Sequence, residues 1–247
     1  MVVSRELVDR WVAGWCASRG MLVRRDGDGR LVEVAAETRS REYVIAEPSL
    51  PELRRLTAAV TAPDVWLTIV GDLDKRERDA VAGLDPVTSD ERMMTTRLRR
   101  AARPPQVRIE TSGRVAHARI EAEGEVAARG QAALSGGGDV VFDRIETTPR
   151  FRRRGLGGLV MTGLSAWAAE NGATTGLLMA SVGGRALYSS LGWTEVAPIV
   201  TLRGRAAGAA VDADESLLHR PDLAELSEGS SRRPLGCRWS LVQYAYG

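Results

Sequence analysis

Residues 149–158 read PRFRRRGLGG: three consecutive arginines run into three glycines broken by one leucine. The flanks decide what such a stretch does. Before it, DVVFDRIET (139–147) has the alternation and β-branched content of a strand. After it, Leu156, Leu159, Val160, Leu164 and Trp167 recur at helical spacing, and Asn171-Gly172 closes the run. The order is therefore strand, tight turn, helix over 155–171, with the arginines and glycines at the helix N-terminus. The first N–H groups of a helix lack intrahelical acceptors, and the helix dipole adds positive potential there. Glycines at 155, 157 and 158 remove the Cβ atoms that would keep an anion away. Neighbouring arginines can add charge-assisted bonds. The expected ligand is a pyrophosphate; the plainer alternative is a basic turn.

Two familiar phosphate motifs do not fit. A P-loop requires G-x-x-x-x-G-K-[ST], and the single lysine of the chain is Lys75. The dinucleotide fingerprint G-x-G-x-x-G is broken by G-L-G-G, and the preceding strands have the rhythm of a meander.

Around this core, strands are expected near 106–111, 114–122 and 125–134, paired antiparallel with 139–147. Beyond the helix, TTGLLMAS (174–181) reads as a strand, GRALYSSLG (184–192) as a short helix, and WTEVAPIVTLRG (193–204) as one strand or two. Upstream, helices are expected over 4–19, 49–60 and 74–84, with Ser4 and Ser49 as N-caps and Pro51 in a first turn. Two strands lie around a D-G turn within 21–35, and others over 41–47, 64–72 and 91–98. RRAARPPQ (99–106) reads as a linker, because Pro-Pro suits no element interior. Residues 205–235 read as mobile, with a helix over 213–226, and 237–246 as a last strand.

The 247 residues carry a formal charge of +2, and 44% are hydrophobic. That allows one large domain or two small ones. The near-absence of lysine reads as codon bias, so arginine number alone argues nothing. Near-neutral charge without aromatic interleaving speaks against nucleic acid. Cys16 and Cys237 make neither a zinc pattern nor a disulfide framework, and His117 and His219 have no metal-like neighbours. No metal is expected. The charged start MVVSRELVDRW lacks an apolar leader, and no apolar run spans a bilayer. A cytoplasmic setting without membrane contact is the expectation.

Arg152, Gly155 and Gly157 form R-x-x-G-x-G, entered through Thr148-Pro149. Together with LLMASVGGRALYSSLGW (177–193), this resembles the two signatures of the GCN5-related N-acetyltransferase (GNAT) family. Leu187-Tyr188 and Leu191-Gly192-Trp193 match the second signature in register; Ser181 replaces its usual asparagine and Gly184 its alanine. The resemblance implies an α/β (α+β) fold with a mixed, largely antiparallel sheet flanked by helices. It implies an acyl-CoA-binding catalytic domain over 104–204, an N-terminal α/β subdomain over 1–103 and a terminal segment over 205–247. The N-terminal part is either a degenerate half-repeat walling the acceptor cleft or an unrelated cap.

The implied activity is transfer of an acyl group, most often acetyl, from acetyl-CoA to a primary amine on a small molecule or peptide. Ile145 and Thr147 would contact pantetheine. Arg152, Arg153, Arg154, Gly155, Leu156, Gly157 and Gly158 would surround the pyrophosphate, and Ser181 belongs to the cofactor side. Tyr188 would protonate the leaving thiolate. Glu146 is the candidate general base, against the alternative that it pairs with Arg144 on its own strand face; Asp143 and Glu195 rank below it. A non-catalytic CoA-binding regulatory module is the competing function. The acceptor and the acyl chain length are not encoded legibly, and a homodimer is left open.

Overall fold

The computed structural model describes residues 4–206. In chain order the elements are α1 (Arg5–Arg19), β1 (Leu22–Asp26), β2 (Gly29–Ala36), β3 (Arg39–Ala46), α2 (Leu50–Ala59), β4 (Val65–Val70), α3 (Lys75–Val81) and β5 (Asp85–Arg97). They continue with β6 (Arg108–Ser112), β7 (Val115–Ala122), β8 (Glu125–Gly136), β9 (Asp139–Thr147), a single 3-10 turn (Pro149–Phe151), α4 (Leu156–Glu170), β10 (Thr175–Ala180), α5 (Val182–Ser190) and β11 (Thr194–Arg203). The mixed α/β class with a mostly antiparallel sheet is the one expected. The helix expected over 213–226 and the strand over 237–246 lie outside the described residues.

The eleven strands of the described residues form one sheet, ordered β1-β2-β3-β4-β11-β5-β10-β9-β8-β7-β6. The order is a palindrome apart from the edge strand β6: exchanging β1–β5 with β7–β11 returns the same sequence of neighbours. The senses agree too. β3 and β4 are parallel, as are β9 and β10, and every other pair is antiparallel. Each half therefore gives its last strand to the other: β11 sits between β4 and β5, and β5 between β11 and β10. The boundary expected near 103 falls in the coil after β5, yet β5 is an internal strand beside β10. The described residues cluster as one unit.

Strand alternation sorts the side chains onto two faces. Val44, Val70, Met93, Val141, Leu177 and Ile199 pack with Val8, Trp11, Val12 and Trp15 of α1. The alternate residues pack the other way. Ile45, Leu67 and Ile69 meet Leu53 and Leu56 of α2 and Val81 of α3; Val140, Phe142 and Leu178 meet Val160, Leu164 and Trp167 of α4 and Tyr188 of α5. Among the described residues α1 therefore lies alone on one face, and α2 to α5 share the opposite one. Gly14 permits the close approach of α1 to β9, because a Cβ there would stand 2.3 Å from Val141 Cγ2.

β5 starts six residues before the strand expected over 91–98. Pro86, Thr88 and Asp90 look like loop residues locally, but pairing with β11 across register shifts near Thr201 and Leu202 accommodates them.

Candidate active site

Three sequence-distant segments converge at the C-terminal end of β9. A Cβ on Gly157 would meet Leu187 Cδ2 of α5 at 3.1 Å and Thr147 Oγ1 of β9 at 3.4 Å. Any side chain at 157 would fill the space where the strand end, the glycine turn and α5 meet. Arg153 and Gly155 both adopt left-handed backbone, with φ of 64° and 75°, which bends the chain sharply into α4. The first intrahelical bond there is donated by Leu159 N–H to the Gly155 carbonyl, at 3.2 Å. The N–H groups of Leu156, Gly157 and Gly158 thus have no helical acceptor. Space around Gly155 is open, and the first turn of α4 holds no acidic residue. This donor set suits a pyrophosphate.

The arginines divide their work. Arg152 donates from Nε to the Thr147 carbonyl at 3.2 Å and so ties the turn to the strand end. Arg150 and Arg154 flank the buried Phe151 ring and pair with Glu123 and Glu125 at the β7–β8 hairpin. Arg153 is exposed and its guanidinium has no partner among the described residues.

β9 and β10 pair at only three positions, Asp139–Thr175, Val140–Gly176 and Val141–Leu177, and then part. A bulge in β9 accompanies the parting. Opposite β8, Asp143 faces Gln131 and Glu146 faces Arg129, so Arg144 and Ile145 share the place of one residue, with Arg144 at φ 53°. Gly130 makes room: a Cβ there would lie 2.5 Å from Ile145 Cδ1. The extra residue turns Ile145 toward the core under α4 and reverses the facing of Glu146. This corrects the expected Glu146–Arg144 pair. Glu146 is exposed and its Oε2 accepts from Arg129 Nε and Nη2 at 2.9 and 2.7 Å.

Asp143 is also committed. Arg19 donates to both its oxygens at 2.7 and 2.8 Å, and Ser18 and Gln131 donate to Oδ2 at 3.2 and 3.1 Å. This ion pair fastens the C-terminal end of α1 to the bulge. Glu195 pairs with Arg185 and Arg92.

Tyr188 comes from the last turn of α5 and is 7% exposed, against Trp193 at 6.1 Å between centroids. Gly184 leaves room for the ring, since a Cβ there would meet Tyr188 Cε2 at 2.8 Å. The hydroxyl has no hydrogen-bond partner among the described residues. Burial first, and the Asp143 charge second, push its pKa up to about 12. The phenol therefore stays a proton donor across the neutral range. Ser181 is the exposed N-cap of α5 and makes no side-chain capping bond.

Among the described residues no group of three or more His, Cys, Asp or Glu could hold a metal ion. No described helix is long and apolar enough to cross a membrane.

The family model described as the acetyltransferase (GNAT) family matches residues 86–193, from β5 to the end of the Leu-Tyr signature. The matched span takes in both the glycine turn and the Leu187-Tyr188 segment. The fold is similar to that of a GCN5-related N-acetyltransferase from Kribbella flavida, at TM-score 0.60 and 18% identity, covering 83% of this chain and 97% of that one. It is similar to a GNAT-family acetyltransferase from Novosphingobium aromaticivorans, at 0.55 and 13%, covering 81% and 97%. A GCN5-related N-acetyltransferase-like protein from Streptococcus suis gives 0.52 and 12%, covering 81% and 98%. The curated proteins contain no sequence match.

Proposed function

We propose that the chain transfers an acetyl group from acetyl-CoA to a primary amine of a small molecule or peptide. The observation that carries this reading is the parting of β9 from β10 directly above an N–H nest at the start of α4. An extended pantetheine arm can lie along the strand edge that β10 leaves free, beside Ile145 and Thr147. The N–H groups of 156–158 take the pyrophosphate, and the exposed Arg153 supplies a positive charge. Arg152 keeps the turn in shape, and Ser181 borders the opening from the α5 side.

In the reaction the neutral amine attacks the thioester carbonyl. A backbone N–H on the free edge of β9 stabilises the oxyanion. The tetrahedral intermediate then expels the thiolate, and Tyr188 gives it a proton. A hydroxyl without a hydrogen bond among the described residues, with a pKa well above neutrality, suits that step. Glu146 does not suit the base role, because Arg129 holds its carboxylate on the exposed surface.

The test is release of free CoA from acetyl-CoA against a broad panel of primary amines. Turnover with at least one amine supports the enzyme. Tight CoA binding with no acyl transfer to any acceptor would favour the regulatory alternative.

A further inference from the structure

We propose that Glu91, on β5, receives the acceptor's ammonium group and takes its proton before attack. The inference rests on the acyl-CoA reading above and supplies the base that reading lacks.

Position comes first. The last β5–β10 pair is Arg92–Ala180, so Glu91 stands one residue beyond it, beside the end at which β9 and β10 have separated. Its cross-strand neighbour on β11 is Ile199, and Met93 lies two residues away; both pack on the α1 side of the sheet. Glu91 thus faces the α1 side, whereas Tyr188 packs from the α5 side. The two groups flank the strand opening from opposite faces. That is the arrangement attack and departure need: the amine arrives over one face and the leaving sulfur is protonated from the other. Strands are spaced about 4.8 Å apart, so a glutamate one strand from the opening reaches an amine there directly or through one water.

Elimination comes second. Asp143 is held by Arg19, Ser18 and Gln131, Glu146 by Arg129, and Glu195 by Arg185 and Arg92. Glu42, also on the α1 face, accepts from Arg39 at 2.7 Å and from Thr68 at 2.7 Å. Among the described residues Glu91 has one hydrogen-bond partner, the Thr88 hydroxyl, which donates to Oε2 at 3.0 Å. Oε1 has no hydrogen-bond partner among the described residues. The charges facing Glu91 are Glu42 and Arg39 of β3. Burial, and then the Glu42 carboxylate, push its pKa up, while the Thr88 hydrogen bond and Arg39 act the other way. A partly buried carboxylate with an open oxygen gains by receiving a cation, and a raised pKa makes it a better base.

The balance is simple. The ammonium gives one proton to Glu91. The amine nitrogen bonds to the carbonyl carbon, the C–S bond breaks, and sulfur takes the Tyr188 proton. The second amine proton leaves as the amide forms and restores the phenol. The products are amide, CoA–SH and one proton on Glu91, which passes to water.

The test uses the full chain saturated with CoA. Glutamate carboxyl carbons are labelled with 13C, and the Glu91 resonance is identified by its absence in Glu91→Gln. Ethylammonium chloride is the probe. The expected result is a saturable shift of that resonance and a lowered titration midpoint, with no such effect from equal tetramethylammonium chloride. For any amine that turns over, Glu91→Gln should lower kcat/KM about 10²-fold and remove the acid limb of its pH profile. Its CoA affinity should stay within twofold, and Glu91→Asp should recover part of the rate. A Glu91 signal indifferent to ethylammonium, or an unchanged acid limb in Glu91→Gln, overturns the proposal alone. Failure of the unmodified chain to bind CoA overturns both this proposal and the acyl-CoA reading.

Discussion

The described residues contain the same strand–helix–strand crossover twice, and the two copies have opposite ends. In the C-terminal half β9 and β10 part after three pairs; in the N-terminal half β3 and β4 stay paired from Arg41–Val65 to Ala46–Val70. Over α4 the helix start is glycine with free N–H groups. Over α2 it is filled from within: Ser49 accepts from Glu52 N–H at 3.4 Å, Pro51 removes one donor, and Glu52 brings its own carboxylate. Arg55 holds that carboxylate at 2.8 Å, and the pair keeps the Glu52 pKa low and the Arg55 pKa high. An arriving phosphate would meet an anion already in place. One topology is thus open or closed according to a handful of residues at the strand end and the first helical turn.

Gly157→Glu should erase this difference with the largest effect. It puts a carboxylate and a side chain between Thr147 and Leu187, so calorimetry should show CoA binding lost while the melting transition persists. Retained affinity would move the pyrophosphate elsewhere. Tyr188→Phe should follow, with kcat for a good amine down roughly 10²–10⁴-fold and CoA affinity intact. An unchanged kcat, with chemistry rate-limiting, would leave Tyr188 as packing.

Arg153→Ala should weaken CoA about tenfold, and less as salt rises, because its guanidinium, unpartnered among the described residues, is the available charge at the nest. Arg154→Ala should cost less, since Arg154 is engaged with Glu123 and Phe151. Equal losses would refute that division. The smallest effect concerns alkali. Tyr188 has a folded-state pKa above its unfolded one, so its contribution to stability is full below about pH 10. That contribution is lost as pH rises toward about 12. Tyr188→Phe should therefore flatten the fall in melting temperature over that window.

Much of the C-terminal half was legible because its signals are local. The strand 139–147 and the helix boundaries follow from alternation, a glycine turn and an Asn-Gly stop, and the helix over 184–192 starts only two residues earlier than expected. The bulge was not legible. Arg144 carries no glycine signal for φ of 53°, and the small partner that permits the bulge is Gly130 on another strand. Glu146 was consequently given the wrong neighbour. Glu91 was missed for a related reason. Its burial comes from insertion of β5 between β11 and β10, a pairing between residues about 80 to 120 positions apart that no local periodicity reports.

The central claim is that the chain has one acyl-CoA site, in the C-terminal half. Isothermal titration of the full chain with CoA tests it most directly. The account predicts saturation at one CoA per chain, unchanged when Glu52→Gln relieves the acid at the start of α2. Two CoA molecules per chain would contradict it.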